Sequence, residues 1–196
     1  MALSPYIMTQ RVILPIVATL LALFASSCAS SSADYSAHIV GKDKFGMPQY
    51  NDKAKLRSVR TTAYHCGECD HIEYGSKSAA GTPLRYGNIR SAAADWSRYP
   101  LGTKFKIKGL PFTYVIDDYG SALVGTNTID LYKRGGDREM RWWGVRKVEI
   151  NVLEVGDYDL SERILRDRRR HAHCRKMHDN LQRRLVYGGG SSRNAG

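Results

Sequence analysis

The segment Val145-Arg146-Lys147-Val148-Glu149-Ile150-Asn151-Val152-Leu153-Glu154-Val155 decides the fold, because Val148, Ile150 and Val152 alternate with Glu149 and Asn151. Side chains in a strand point to opposite faces in turn, so this period of two presents three apolar groups to a core and the polar ones to water. Working outward from it, Val59 to Tyr64, Lys104 to Lys108, Phe112 to Asp118 and Thr128 to Tyr132 are further short stretches rich in β-branched and aromatic residues, separated by Gly, Pro and Asn turn signals. The pattern predicts an all-β core of five or six strands. A closed barrel is favoured, since closure leaves no exposed sheet edge. Two helices are expected. Asp137 is placed to cap a short one through Glu139, Met140 and Trp142 to Gly144, and Asp159 or Ser161 to start a longer C-terminal one through Ile164, Leu165, Ala172, Met177 and Leu181.

The chain has 196 residues, 42% hydrophobic and 25% charged, which suits one modest folded domain and excludes a multidomain machine. Its formal net charge of +11 is unevenly spread: +1 over residues 1–28, +2 over 29–57, +3 over 58–156 and +5 over 157–196. The core is close to balanced, and the excess belongs to an Arg-rich tail containing Arg168-Arg169-Arg170, read as a solvated basic appendage. At the other end, Arg11 precedes an apolar run from Val12 to Ala25. That run falls short of the about 20 apolar residues that span a bilayer and reads as a secretory leader. Ala25-Ser26-Ser27-Cys28 resembles the lipobox of bacterial lipoproteins, which makes Cys28 a candidate for acylation and the membrane a partner through a lipid anchor. The expected layout is a leader over 1–28, a flexible linker over 29–57, the barrel over 58–156, a basic helix over 157–187 and a disordered tail over 188–196. The expected location is the cell envelope or periplasm. Export argues against the nucleic-acid binding that the Arg-rich tail would otherwise suggest.

Acidic residues are sparse in the core, so their positions are informative. Asp95 sits in Ala93-Ala94-Asp95-Trp96, ahead of Pro100-Leu101-Gly102-Thr103; Asp117 and Asp118 end a strand; Asp130 lies inside Ile129-Asp130-Leu131. With Ile129 and Leu131 directed into the core, Asp130 falls on the other face beside Thr128 and Tyr132. Asp lowers strand propensity, which makes a mid-strand Asp a functional candidate. The same alternation separates Asp117 from Asp118.

Asp118-Tyr119-Gly120-Ser121-Ala122-Leu123-Val124-Gly125, followed by Thr128-Ile129-Asp130-Leu131-Tyr132 and preceded by Ala94-Asp95 and Pro100-Leu101-Gly102-Thr103, resembles the 3D domain, named for three aspartates. This domain occurs in cell-wall proteins related to membrane-bound lytic transglycosylase A and to stationary-phase survival muralytic proteins. The resemblance covers about residues 59–155. It implies a six-stranded double-psi β-barrel, and it implies cleavage of peptidoglycan glycan strands between N-acetylmuramic acid and N-acetylglucosamine with formation of a 1,6-anhydro sugar. The three aspartates correspond to Asp95, Asp118 and Asp130, with Asp130 as general acid and the other two as electrostatic and hydrogen-bonding supports. Ordinary glycosidases use two carboxyl groups. A lytic transglycosylase can manage with one, because the substrate's own C6 hydroxyl is the nucleophile. That acid must keep its proton near neutral pH, which neighbouring carboxylates and partial burial promote. No cofactor is required. The rival expectation is a non-catalytic glycan-binding module on the same barrel.

Tyr64, Tyr119 and Trp96 are candidates to contact sugar rings, with Tyr64 and Tyr119 foremost, whereas Trp142 and Trp143 are read as core. Cys66-Gly67-Glu68-Cys69 in an exported protein suggests a local disulfide between Cys66 and Cys69. A metal reading would recruit His65 and His71 with His171, His173, Cys174 or His178, but the spacing matches no known four-ligand pattern, and no metal is assigned.

Overall fold

The computed structural model describes residues 39–44, 48–51, 55–67 and 75–188, without the side chains of 185–188. The leader, Cys28, Cys69 and nearly all of the expected tail lie outside the described residues. The strands are β1 (Ile39–Lys42), β2 (Pro48–Tyr50), β3 (Leu56–Tyr64), β4 (Ile89–Ala93), β5 (Lys104–Ile107), β6 (Thr113–Asp118), β7 (Thr128–Tyr132) and β8 (Arg146–Glu154). A 3₁₀ turn (Ser121–Leu123) precedes β7, α1 (Gly136–Trp143) joins β7 to β8, and α2 (Tyr158–Asp167) and α3 (Ala172–Gly188) follow the last strand.

Strands β3 to β8 close into a six-stranded barrel in the order β3-β7-β4-β6-β5-β8, with β3/β7 and β4/β6 parallel and the other pairs antiparallel. The barrel is filled by alternate residues, as the period of two requires: Val59, Ala92, Phe105, Ile116, Ile129, Leu131 and Ile150 are all fully buried in one core. Each large aliphatic side chain here contributes roughly 1.5–3 kcal/mol by leaving water, and Ile129→Ala would cost about 2–5 kcal/mol.

One barrel strand was not marked by composition. Ile89-Arg90-Ser91-Ala92-Ala93 has weak strand propensity, yet it forms β4, between β6 and β7. The linker expectation over 29–57 is also corrected. β1 and β2 pair antiparallel, and β3 already starts at Leu56. The hairpin lacked an apolar period because polar contacts hold it: Asp43 Oδ2 accepts from Asn127 N (2.9 Å), and Asn127 Nδ2 donates to Pro48 O (2.8 Å).

The helices differ from expectation in detail. Helix α1 is capped by Gly135, with Asp137 inside its first turn, and it ends at Gly144 in a positive-φ conformation (58°). Trp143 is buried whereas its neighbour Trp142 is 69% exposed, so the core assignment fails for Trp142. Successive residues on a helix point about 100° apart, and only one of the two meets the barrel. The single C-terminal helix is two helices. Asp157, not Asp159 or Ser161, caps α2 by accepting from Leu160 N (2.8 Å), and the chain breaks at 168–171 before α3. Leu165, Cys174, Met177 and Leu181 join the barrel core, so both helices dock on it.

Candidate functional site

Strand β4 organises the acidic residues. Ala93 pairs with Asp118 on β6 and with Asp130 on β7, and residues paired across a ladder project to the same face. Ala92 and Ala94 belong to the main core, so the face carrying Ala93 is the outer one. Asp118 and Asp130 therefore share the outer wall of the barrel, two strands and about 10 Å apart at the backbone, flanking Ala93. On the next strand Thr62 is in register with Asp130 and donates its hydroxyl to Asp130 Oδ1 (2.7 Å). Tyr64, two residues on, faces the same way.

Strict alternation would send Asp117 and Asp118 to opposite faces. The ladder is bulged here: Ala92 pairs with Ile116 and Ala93 with Asp118, leaving Asp117 as the extra residue. Asp117 accepts from the hydroxyl of Ser91 (2.7 Å), which shares the parity of Ala93, so both aspartates lie on the outer wall. The expected separation is thus corrected by one inserted residue.

Asp118 is buried and accepts from three donors. Tyr64 Oη donates to its Oδ2 (2.9 Å), and the amides of Ala79 and Tyr119 donate to its Oδ1 (2.9 Å each). Burial, then the charge of Asp118 and its hydrogen bond, then Asp117 and Asp130, push the Tyr64 phenol well above its ordinary value. Three carboxyl groups thus act on one hydroxyl. Burial also raises Asp117 to about 6, helped by Asp118 and opposed by the Ser91 bond and Arg85. Among the described residues its Oδ1 is buried with no hydrogen-bond partner, a rare and costly state for a carboxylate. Asp130 is the most accessible of the three, half-buried where the other two are buried.

Asp95 belongs to a different arrangement. Its Oδ1 accepts from Ser97 N (2.8 Å) and Ser97 Oγ (2.6 Å), and its Oδ2 from Gly125 N (2.7 Å). Both oxygens hold a turn against the Gly120–Gly125 loop, so the structure does not bring Asp95 to the outer acidic face. Trp96 is fully buried and donates Nε1 to Asp118 O (2.9 Å), which rules out contact with a sugar ring. Tyr119 packs edge-on to Trp96 at 5.0 Å, and its hydroxyl accepts from Arg168 and from Cys174, so it faces the C-terminal helices rather than the acidic wall. Of the aromatic candidates only Tyr64 reaches the site, and through its hydroxyl.

Several neighbours escaped sequence reading. Tyr132 packs on Tyr64 (5.6 Å) and on Tyr86 (6.0 Å), and with Ala93 and Leu123 they form a small second apolar cluster on the outer wall, flanked by Leu84 and Cys66. Tyr132 carried a signal, since it lies two residues after Asp130. Tyr86 and Ser91 carried none. Cys66 is half-buried, with Tyr132 Oη 4.0 Å from its sulfur and no disulfide partner among the described residues; Cys69, its expected partner, lies outside them. His65 accepts from Gly67 N at Nδ1 (3.0 Å), so Nε2 carries the proton toward Asp137 Oδ1 (2.6 Å). Among the described residues no group of three or more His, Cys, Asp or Glu is arranged to hold a metal ion. His178 bonds Glu162 (2.9 Å) and Cys174 bonds Tyr119, which accounts for two of the tail ligands considered.

Fold and site together define an all-β barrel with a clustered acidic outer wall. Residues 90–154 match the family model of the 3D domain. The match runs from within β4 to the end of β8 and includes Asp95, Asp117, Asp118 and Asp130, while β3 with Thr62 and Tyr64 lies before it. The 3D domain is found in lytic-transglycosylase-like cell-wall proteins. No curated protein matches the chain.

Proposed function

We propose that this protein is an exported peptidoglycan lytic transglycosylase, built on a barrel of the double-psi type, that cleaves the bond between N-acetylmuramic acid and N-acetylglucosamine. The observation that carries the reading is the joint pairing of Asp118 and Asp130 with Ala93 inside the 3D domain. Asp130, the accessible member, is the general acid. Its proton passes to the glycosidic oxygen as the bond to the anomeric carbon breaks. The muramyl C6 hydroxyl then attacks that carbon and returns its proton to Asp130, so the carboxyl is regenerated and no water is consumed. Asp118, immobilised by three donors, supplies negative charge against the developing oxocarbenium ion. Asp117 and Tyr64 line the same outer wall as Asp130, and Thr62 holds the Asp130 carboxyl in place through its Oδ1.

The leader ending at Cys28 belongs to the same proposal and would tether the barrel to an envelope membrane by a lipid. Substituting Cys28→Ala should release the protein from membranes, measured by fractionation. The activity test is digestion of purified murein followed by mass analysis of the products. Wild type should yield anhydro-muramyl fragments and Asp130→Asn none. Equal product from both would defeat the site assignment, and none from either would favour a glycan-binding module.

A further inference from the structure

Arg168 opens the Arg168-Arg169-Arg170 run, and it does not behave as part of a solvated basic tail. Arg169 and Arg170 are exposed, whereas Arg168 is half-buried at the C-terminal end of α2. A single guanidinium nitrogen, Nη1, donates to Ala79 O (2.8 Å) and to Tyr119 Oη (3.1 Å). Ala79 and Tyr119 are the two residues whose amides hold Asp118 Oδ1. The next amide, that of Ala80, donates to Asp117 O (3.0 Å), so the segment clamped by Arg168 also registers the bulged aspartate.

We infer that Arg168 is a positioning residue for the acidic site. From the turn between the two C-terminal helices it ties the 78–80 segment to Tyr119 and thereby sets where the Asp118 carboxylate sits. The helices lie after the stretch matched by the 3D domain, so the site is completed by an element outside that domain. A guanidinium suits this task. Its donors are fixed in a plane, it keeps its charge at any working pH, and it serves two acceptors at once. The Cys174 thiol supports the same phenol, donating to Tyr119 Oη (3.3 Å). Burial is the main cause that pushes that phenol up to about 12, so it stays a neutral acceptor for Arg168.

The inference rests on the reading of Asp118 as an electrostatic support, and two readouts separate its failure from the failure of that reading. The first is kinetic. On soluble glycan strands Arg168→Gln should lower kcat by about ten- to a hundredfold with KM within about twofold, since a small displacement of a supporting group costs rate rather than binding. Arg168→Lys should recover part of the loss, because an ammonium keeps the charge but not the fork. Tyr119→Phe, which keeps the ring, should give a smaller loss, and Arg169→Gln, one residue away and exposed, none. The second readout needs no activity: amide exchange in the full chain, followed by NMR, should quicken at Ala79 and Tyr119 in Arg168→Gln while core amides such as Ile129 keep their protection. Unchanged kcat in a folded Arg168→Gln, or a fall matched by Arg169→Gln, overturns the inference. If wild type makes no product, the transglycosylase reading falls and the exchange result decides the clamp: faster exchange at the two amides supports it, and unchanged exchange overturns it.

Discussion

Asp95 and Asp118 are both buried aspartates in the matched stretch, and they stand in opposite kinds of surroundings. Around Asp95 the polar groups are tied to one another. Ser97 and Gly125 take its oxygens, Thr103 donates to Pro100 O (2.7 Å) and accepts from Gly156 N (3.0 Å), and Ser161 Oγ accepts from Leu101 N (2.8 Å). The outer wall is left uneven. Asp118 accepts from three donors, but among the described residues its neighbour Asp117 keeps a buried oxygen without a partner and an elevated proton affinity, and Asp130 stands at the accessible edge. A chain of about two hundred residues does not place three carboxyl groups around one buried phenol for stability, because like charges at low dielectric oppose folding. The first region uses its carboxylate to build; the second tolerates misfit, as functional sites do.

Loss of Asp130 tests that contrast most severely. Asp130→Asn should reduce anhydro-sugar formation by about 10²–10⁴-fold, the range for a general acid, while thermal unfolding stays within about 1 kcal/mol of wild type. A large stability loss with retained turnover would put Asp130 among the building residues.

The turn hub should answer in the reverse sense. A Cβ on Gly156 would meet Leu101 O at 2.3 Å, Pro100 O at 2.4 Å and Thr103 N at 2.5 Å, all backbone atoms that cannot swing away. Gly156→Ala should cost about 3 kcal/mol or more by urea denaturation. Asp95→Ala strands the Ser97 and Gly125 donors and should cost about 2–3 kcal/mol. In both variants the folded fraction should retain the specific activity of wild type. A catalytic defect in Asp95→Ala beyond its unfolded fraction would restore that residue to the acidic site.

The two regions were not equally readable from sequence. Strand β7 could be read because Ile129 and Leu131 alternate with Asp130, and the same period gave away β8. Strand β4 could not, since Ser91-Ala92-Ala93 has no strand signature of its own; small residues fit there because the flanking strands carry the bulky groups, a tertiary effect. Yet Ala93 is the residue that aligns Asp118 with Asp130. The bulge at Asp117 was hidden for a related reason, because register is a property of two strands and one strand's sequence lacks it. Asp95, Trp96 and Tyr119 show the remaining limit. Residue type and order marked them as candidates, but a polar side chain beside a turn looks the same in sequence whether it caps that turn or faces a ligand.

Asp117 offers the subtlest test of the contrast, through pH. Its folded-state value is raised from 3.8 to about 6, so between those limits the native state holds a proton that the unfolded chain has released. Stability should therefore fall as pH rises from about 4 to about 6, and the penalty should persist above that window. A shift of this size corresponds to about 3 kcal/mol at most. Asp117→Asn cannot ionise, so it should be more stable than wild type at pH 7 by about 2 kcal/mol, with a flatter stability profile between pH 4 and 6. The gain should shrink toward zero near pH 4, where the wild-type carboxyl is already neutral. Guanidinium denaturation at several pH values reads all of this directly. A variant less stable than wild type at pH 7 would mean that Asp117 is charged and well served, and the outer wall would then be as fully satisfied as the hub around Asp95.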